Sequence, residues 1–296
     1  MLENSQNKRM EQVYQDATRI ILGRDTKIVV MSDCHRGCGG WNDNFAQNEK
    51  IYFTALRDYY NKGYTYIELG DGDELWENKD YRRIIQLYSH IFWLLSLFYK
   101  DNRFYMVYGN HDIQKKKEAF TRKYLTKYYY EAQNCMEFLF PGIEAQEAFV
   151  LTVSEKDEGS SIFLLHGHQG ELLNDRLWRL GRWLVLHVWR PLEKIGINYP
   201  MGSTGSITYQ ELRPNKIERW ANSEKQLTVA GHTHHAMCKP DAASFYFNSG
   251  SCIHPRCIVA LEIDARKIRL VKWGVAVDSC NYMHIQKEVL SEHALS

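Results

Sequence analysis

Five short cassettes in this chain carry side chains able to hold divalent ions. They are Asp33-Cys34-His35, Gly70-Asp71, Gly109-Asn110-His111-Asp112, His166-Gly167-His168 and Gly231-His232-Thr233-His234. Carboxylate, imidazole and amide oxygen are donors that suit manganese, iron, zinc or cobalt. A pair of such ions activates water and displaces groups at phosphorus. Asp33 and His35 alternate along a chain leaving a strand, with Cys34 pointing away, so both can reach one ion. Asp71 ends a second strand, and each of its two oxygens can bind a different ion. Asn110 coordinates without adding negative charge. His232 and His234 alternate around Thr233 and can give one imidazole to each ion, and His166 completes the second site. A lone D-x-H or H-x-H pair is commonplace on surfaces and in cores. Five cassettes in order, each after a β-rich run, leave little room for coincidence.

The elements that must position these residues repeat as strand, ligand loop, helix. Strands are expected over Lys27–Met31, Tyr64–Leu69 and Arg103–Val107. Helices are expected over 1–22, Phe45–Asn61 (closed by Gly63), Ile84–Tyr99 and Gln114–Tyr129. This recurrence places ligands at the carboxyl ends of strands in an α/β sheet. Beyond Cys135 the pattern turns to short strands: Ala148–Val153 and Ser161–Leu165 around the turn Lys156-Asp157-Glu158-Gly159, then Gln226–Ala230, Ser244–Asn248, Cys257–Ile263 and Lys267–Trp273. A second sheet packed on the first, with helices outside, accommodates them. The segment Glu171–Arg190 breaks the pattern with a helical apolar stripe (Leu173, Leu177, Leu180, Leu184, Val188), an arginine stripe (Arg176, Arg179, Arg182) and bulky Trp178, Trp183 and Trp189. Gly202 and Gly205 mark a turn before a polar helix over Gln210–Asn222.

With 37 basic against 36 acidic residues among 296, no global field attracts nucleic acid. Seven cysteines without a C-x-x-C pair fit a reduced, cytoplasmic protein. The N-terminus lacks a secretory pattern. The apolar run Ile84–Phe98 is interrupted by Gln86, Ser89 and His90 and falls short of the ~20 residues a spanning helix needs. A single domain over 1–296 with a helical insertion, or lid, over 171–225 is expected.

The ordered set D-x-H-x-G (Asp33 to Gly37), G-D-x-x-E (Gly70 to Glu74), G-N-H-D, H-G-H and G-H-T-H, with the later Asn248-Ser249-Gly250-Ser251, resembles the calcineurin-like metallophosphoesterases. The resemblance runs from Ile28 to about Trp273. It implies a β-sandwich flanked by helices and two divalent ions, manganese first among the candidates. One ion would be held by Asp33, His35, Asp71 and His234, and the other by Asp71, Asn110, His166 and His232. Asp71 is preferred to Asp73 as the shared ligand; Asp73 and Glu74 are expected at a helix start or supporting the ligands. The resemblance places His111 beside the leaving group, with Asp112 to orient its ring, while Arg36 and His168 are expected to touch the substrate phosphate.

The G-D-x-x-E-x-W spacing (Gly70 to Trp76) and the helical insert are most similar to the UDP-2,3-diacylglucosamine hydrolase branch. That branch often has Arg where His111 stands and Asp where His168 stands. The expected reaction is hydrolysis of a phosphodiester or pyrophosphate bond, on a small-molecule or lipid-linked substrate, by water activated between the two ions. The 171–190 insert could cover an acyl or nucleotide substrate, touch a membrane surface peripherally, or pack as a lid on its own domain. The alternatives are a nuclease or cyclic-nucleotide phosphodiesterase on the same site, and a non-catalytic scaffold of this fold.

Overall fold

Along Ile28–Met31 every residue is buried, and alternate side chains enter different cores. Ile28 and Val30 meet Phe149, Leu151, Ile162, Leu164, Val229 and Phe247. Val29 and Met31 point the other way, toward Tyr52, Ala55, Tyr59 and Phe92. A strand covered on both faces reads as a continuous apolar run, as this one does. The computed structural model describes residues 2–23, 25–153, 161–171, 174–175, 177–189, 215–239, 244–264 and 266–295.

Two sheets face each other across the first of those cores. One contains, in spatial order, β13 (Met283–Ala294), β12 (Lys267–Val277), β11 (Cys257–Ile263), β2 (Ile28–Met31), β3 (Thr65–Leu69) and β4 (Phe104–Val107). The other contains β1 (Thr18–Leu22), β7 (Ala148–Val153), β8 (Ser161–Leu165), β9 (Leu227–Ala230) and β10 (Tyr246–Asn248). β2, β3 and β4 are parallel to one another, and so are β8, β9 and β10. Five of these parallel strands therefore deliver the five cassettes at their carboxyl ends, where ligands bind in open α/β sheets.

Helices close the outer faces. α2 (Glu49–Asn61) and α4 (Ser89–Lys100) bury Tyr52, Leu56, Phe92 and Leu95 against the first sheet. α1 (Leu2–Asp16) and α7 (Lys216–Glu224) bury Met10, Val13, Ile217 and Trp220 against Val150 and Phe163 of the second. α3 (Tyr81–Leu87), α5 (Glu118–Tyr124) and α6 (Trp178–Leu184) are short. The α/β sandwich flanked by helices is thus the observed architecture. No described helix is long and apolar enough to cross a membrane.

Several elements differ from expectation. The first helix ends at Asp16, and Thr18–Leu22 forms edge strand β1, paired in parallel with β7. The helix expected over Ile84–Tyr99 is two, broken at Tyr88, whose hydroxyl donates to Asp43 Oδ2 at 2.7 Å. The helix expected over Gln114–Tyr129 is a 3-10 turn at Ile113–Lys116, then α5, then strand β5 (Lys127–Tyr130), which pairs with β6 (Cys135–Phe138). In the insert, α6 continues as a π-helical turn over Val185–Trp189. Of the polar helix expected over Gln210–Asn222, the described part is Lys216–Glu224, and 210–214 lie outside the described residues. The 156–159 turn, Leu173, Arg176, Arg190, Gly202 and Gly205 lie outside the described residues.

Candidate metal centre

Each cassette begins where a strand stops, and its backbone turns sharply there. Asp33, His35, Asp71, His232 and His234 all have φ between +48° and +65°. Non-glycine residues seldom occupy this left-handed region, and strained positions of this kind gather at functional sites. Hydrogen bonds between cassettes hold the geometry. Asp33 N–H donates to Gly70 O at 3.1 Å, His35 N–H to Asp71 O at 2.9 Å, and Gly231 N–H to His166 O at 2.8 Å. The glycines preceding the ligands are spacers. A Cβ on Gly109 would run into the Asp71 backbone and carboxylate, and one on Gly231 into Ser32 and Asp33.

The first group comprises Asp33, His35 and His234. His234 Nε2 lies 3.2 Å and His35 Nε2 3.9 Å from Asp33 Oδ1. Asp33 Oδ2 is occupied by Ser32 Oγ and accepts the His232 N–H at 2.9 Å, so Oδ1 is the atom that faces the histidines. His35 Nδ1 donates to Glu74 Oε2 at 2.9 Å, which leaves a lone pair on Nε2.

The second group comprises Asp71, His166 and His232. Asp71 Oδ2 lies 3.0 Å from His166 Nε2 and 3.9 Å from His35 Nε2, so a single oxygen faces both groups. Its other oxygen accepts the His111 N–H at 2.7 Å. The expectation of one Asp71 oxygen per ion therefore gives way to Oδ2 alone facing both. His166 Nδ1 donates to Leu69 O at 2.9 Å, turning Nε2 inward.

The chemistry of these atoms fits a pair of cations. Asn110 Oδ1 is buried without a hydrogen-bond partner among the described residues, while Asp33 Oδ1 and His166 Nε2 face only other donors of the two groups, at 3.2 Å from His234 Nε2 and 3.0 Å from Asp71 Oδ2. Such an orphan is costly unless something outside the protein satisfies it. Without a metal, protons carry the positive charge. Burial disfavours a charged His166, yet Asp71 and Asp33 beside it raise its pKa to about 10. Burial likewise opposes ionisation of Asp71, but His166 and His111 hold its carboxyl well below the usual range.

His111 stands at the edge of the first group, its ring stacked on Trp76 at 4.5 Å and edge-on to His35 at 4.7 Å. Its Nδ1 lies 2.8 Å from Glu74 Oε2. Burial works against the imidazolium, but Glu74 and Asp71 raise its pKa to about 9. Glu74 thus orients two rings at once, His35 and His111. The orienting role expected of Asp112 falls to it. Asp112 instead accepts from Gly109 N–H at 2.7 Å and Gly72 N–H at 3.1 Å and pairs with Lys115 at 2.7 Å. It fixes the backbone beneath His111 and does not touch the ring through a hydrogen bond.

Arg36 does not take the place expected of it. It is fully buried, with Nη2 2.7 Å from Glu68 and Nε 2.7 Å from Asp73, so a substrate has no access to it. A buried cluster of Arg36, Lys115, Glu68, Asp73 and Asp112 underlies the site. Asp73 is committed there, to Arg36, Lys115 and the Tyr81 hydroxyl. His168 is also buried, behind His166 and His232. Burial and those two histidines push its pKa well below the ordinary value, so the ring is neutral, and it presents no surface to a substrate.

The insert supplies residues the motifs did not announce. Glu171 Oε2 lies 3.2 Å from His232 Nε2, and Asn110 Nδ2 donates to Asn174 Oδ1 at 3.5 Å. Asp175 is anchored by Arg9 Nε at 3.1 Å and by the Gly170 N–H at 2.9 Å. A signal for these was present: Glu171, Asn174 and Asp175 follow the H-G-H cassette directly. Along α6 and its flanks, Leu177, Leu180, Trp183 and Val188 are exposed, whereas Gly181 and Val185 are buried. Most of the apolar stripe therefore faces outward.

The family model for calcineurin-like phosphoesterases matches residues 26–236, well over half of the chain. Solved structures of low identity also align. Vacuolar protein sorting 29 from Cryptosporidium parvum is 11% identical with a TM-score of 0.41, over 90% of this chain and 98% of that one. A cold-active protein-tyrosine phosphatase from a psychrophilic Shewanella is 12% identical with a TM-score of 0.41, over 95% of this chain and 84% of that one. No curated protein matches the chain in sequence.

Proposed function

Because the chain belongs to the calcineurin-like phosphoesterases, we propose that it is a dinuclear metal-dependent hydrolase of phosphodiester or pyrophosphate bonds. The observation that carries this reading is Asp71 Oδ2, which lies between two groups of inward-facing donors, 3.0 Å from His166 Nε2 and 3.9 Å from His35 Nε2. Asp33, His35, Asp71 and His234 would hold one ion, and Asp71, Asn110, His166 and His232 the other. Two divalent ions, when bound, supply a water-derived nucleophile at neutral pH and offset charge on phosphoryl oxygens. Glu74 holds His111 by Nδ1, which leaves Nε2 as the atom able to pass a proton to the departing oxygen. Trp76, stacked on the ring, keeps that atom in one orientation.

For substrate class we favour a nucleotide-linked lipid like that of the UDP-2,3-diacylglucosamine hydrolase branch. The G-D-x-x-E-x-W motif and the outward apolar stripe around α6 support this choice. The same stripe suits an acyl chain or the edge of a membrane surface. The test is turnover of a panel by Mn²⁺-loaded protein: UDP-2,3-diacylglucosamine, cyclic nucleotides, single-stranded DNA and bis(p-nitrophenyl) phosphate. Preference for the nucleotide lipid supports the reading, and preference for cyclic nucleotides or DNA replaces its substrate. Metal uptake with no turnover of any of the four favours the scaffold.

A further inference from the structure

Two ligands of the second ion are braced from outside the sheets. His232 Nε2 lies 3.2 Å from Glu171 Oε2. The same oxygen accepts from Asn174 Nδ2, and Asn174 Oδ1 in turn accepts from Asn110 Nδ2 at 3.5 Å. The start of the insert therefore forms one polar chain, in the order His232, Glu171, Asn174, Asn110. Asp175 ties that chain down, through Arg9 Nε of α1 at 3.1 Å and the Gly170 N–H at 2.9 Å. Each contact fixes what a ligand can offer a cation. With its Nε2 proton given to Glu171, His232 keeps its lone pair on Nδ1. With its Nδ2 turned to Asn174, Asn110 directs Oδ1 the other way, and that oxygen is buried without a hydrogen-bond partner among the described residues. The first group is braced differently. Ser32 holds Asp33 and Glu74 holds His35, both from the cassette loops themselves.

We infer that Glu171 and Asn174 are positioning residues for the second ion, so that the insert sets the affinity of that site while the cassette loops set the affinity of the first. This rests on the dinuclear reading above and deepens it by making the two ions unequal. Outer partners of metal ligands fix the tautomer and the direction of the donor atom, and losing one typically costs about 10- to 100-fold in metal affinity. Here those partners sit on a segment anchored to α1, not on the strands that carry His232 and Asn110. Cutting the polar chain releases the His232 ring and the Asn110 amide to turn, and leaves His35 and Asp33 held as before.

The test is calorimetric titration of the metal-stripped chain with Mn²⁺ alone. It compares wild type, Glu171→Ala, Glu171→Gln, Asn174→Ala and the control Arg179→Gln, whose guanidinium lies over the Trp178 ring. In Glu171→Ala one of the two dissociation constants should rise about 10- to 100-fold while the other stays within about threefold. Glu171→Gln keeps an oxygen for the Nε2 proton and should lose less. Asn174→Ala should weaken the same constant, and Arg179→Gln should match wild type. At a Mn²⁺ concentration that fills both wild-type sites, electron paramagnetic resonance should show a coupled pair in wild type and an isolated ion in Glu171→Ala. Two unchanged constants in both alanine variants, or equal weakening of both ions, overturn the inference while the dinuclear reading stands. Fewer than two ions on wild type fails the dinuclear reading itself, and the inference with it.

Discussion

His35 Nε2 lies 3.3 Å from His234 Nε2. Because the His35 Nδ1 proton is committed to Glu74, Nε2 offers only a lone pair, and two lone pairs repel at that distance. A proton or a cation must stand between them, with Asp33 Oδ1 facing both. That requirement organises the predictions below.

Protons should substitute for metal when metal is removed, and stability should then depend on pH. His111 and His166 have pKa values raised from 6.5 to about 9 and about 10. A raised imidazole pKa contributes stability that is fully present below 6.5 and lost as pH rises through the folded value. Metal-stripped protein should therefore lose thermal stability between about pH 6.5 and 10, and His111→Asn should flatten the lower part of that fall. Manganese competes with those protons, so its apparent affinity should rise over the same interval. A melting temperature of the stripped protein that is constant across this range contradicts the account.

His111→Asn should lower kcat by about 10²–10⁴ with metal content unchanged, the usual scale for losing a proton donor. Glu74→Gln keeps the shape but removes the charge that orients His111 and His35. It should lower kcat less than His111→Asn does and displace the basic limb of the pH–rate profile. Equal activity of Glu74→Gln and wild type at every pH would assign the orienting role elsewhere.

Legibility in the sequence followed periodicity and motif. β7, β8 and β11 matched their expected bounds because each is an apolar or alternating run between turn signals. The ligand cassettes were legible because donors cluster immediately after such runs. Edge strand β1 was not, since Thr18–Leu22 follows a charged helix without punctuation and is fixed only by pairing with β7. β13 was missed for a similar reason: its mixed polar residues suit a half-exposed strand whose identity comes from β12. Arg36 looked like a phosphate contact because it neighbours His35. Its burial against Glu68 and Asp73 depends on residues more than 30 positions away. The ring-orienting role expected of Asp112 falls to Glu74 because Asp112 is taken up by the Gly109 and Gly72 N–H groups and Lys115, contacts that spacing does not reveal.

Lys115 joins the buried carboxylates of Asp73, Asp112 and Glu68 at 2.7, 2.7 and 3.3 Å. Lys115→Met leaves them facing one another with only Arg36 as counter-charge. Breaking a buried pair in this way is worth about 3–5 kcal/mol, to be read from urea denaturation of metal-loaded protein. A loss below about 1 kcal/mol, the scale of an exposed pair, would mean the cluster is solvated in practice.

The outward stripe of α6 carries Leu180 at 47% and Trp183 at 53% exposure. Replacing both with Ser should reduce co-sedimentation with vesicles containing anionic lipid, or raise KM for an acylated substrate, by about tenfold. Turnover of bis(p-nitrophenyl) phosphate should stay within about twofold, because neither side chain faces the donors. Unchanged vesicle binding together with unchanged KM on the acylated substrate removes the lipid role from this helix.

The most direct measurement of the central claim is the manganese content of wild type and Asp71→Ala by elemental analysis, paired with phosphodiester turnover. Two ions per wild-type chain, one or fewer in Asp71→Ala, and turnover lost with the ion are the predicted results. Full turnover by Asp71→Ala with two ions still bound would contradict a centre built around this shared carboxylate.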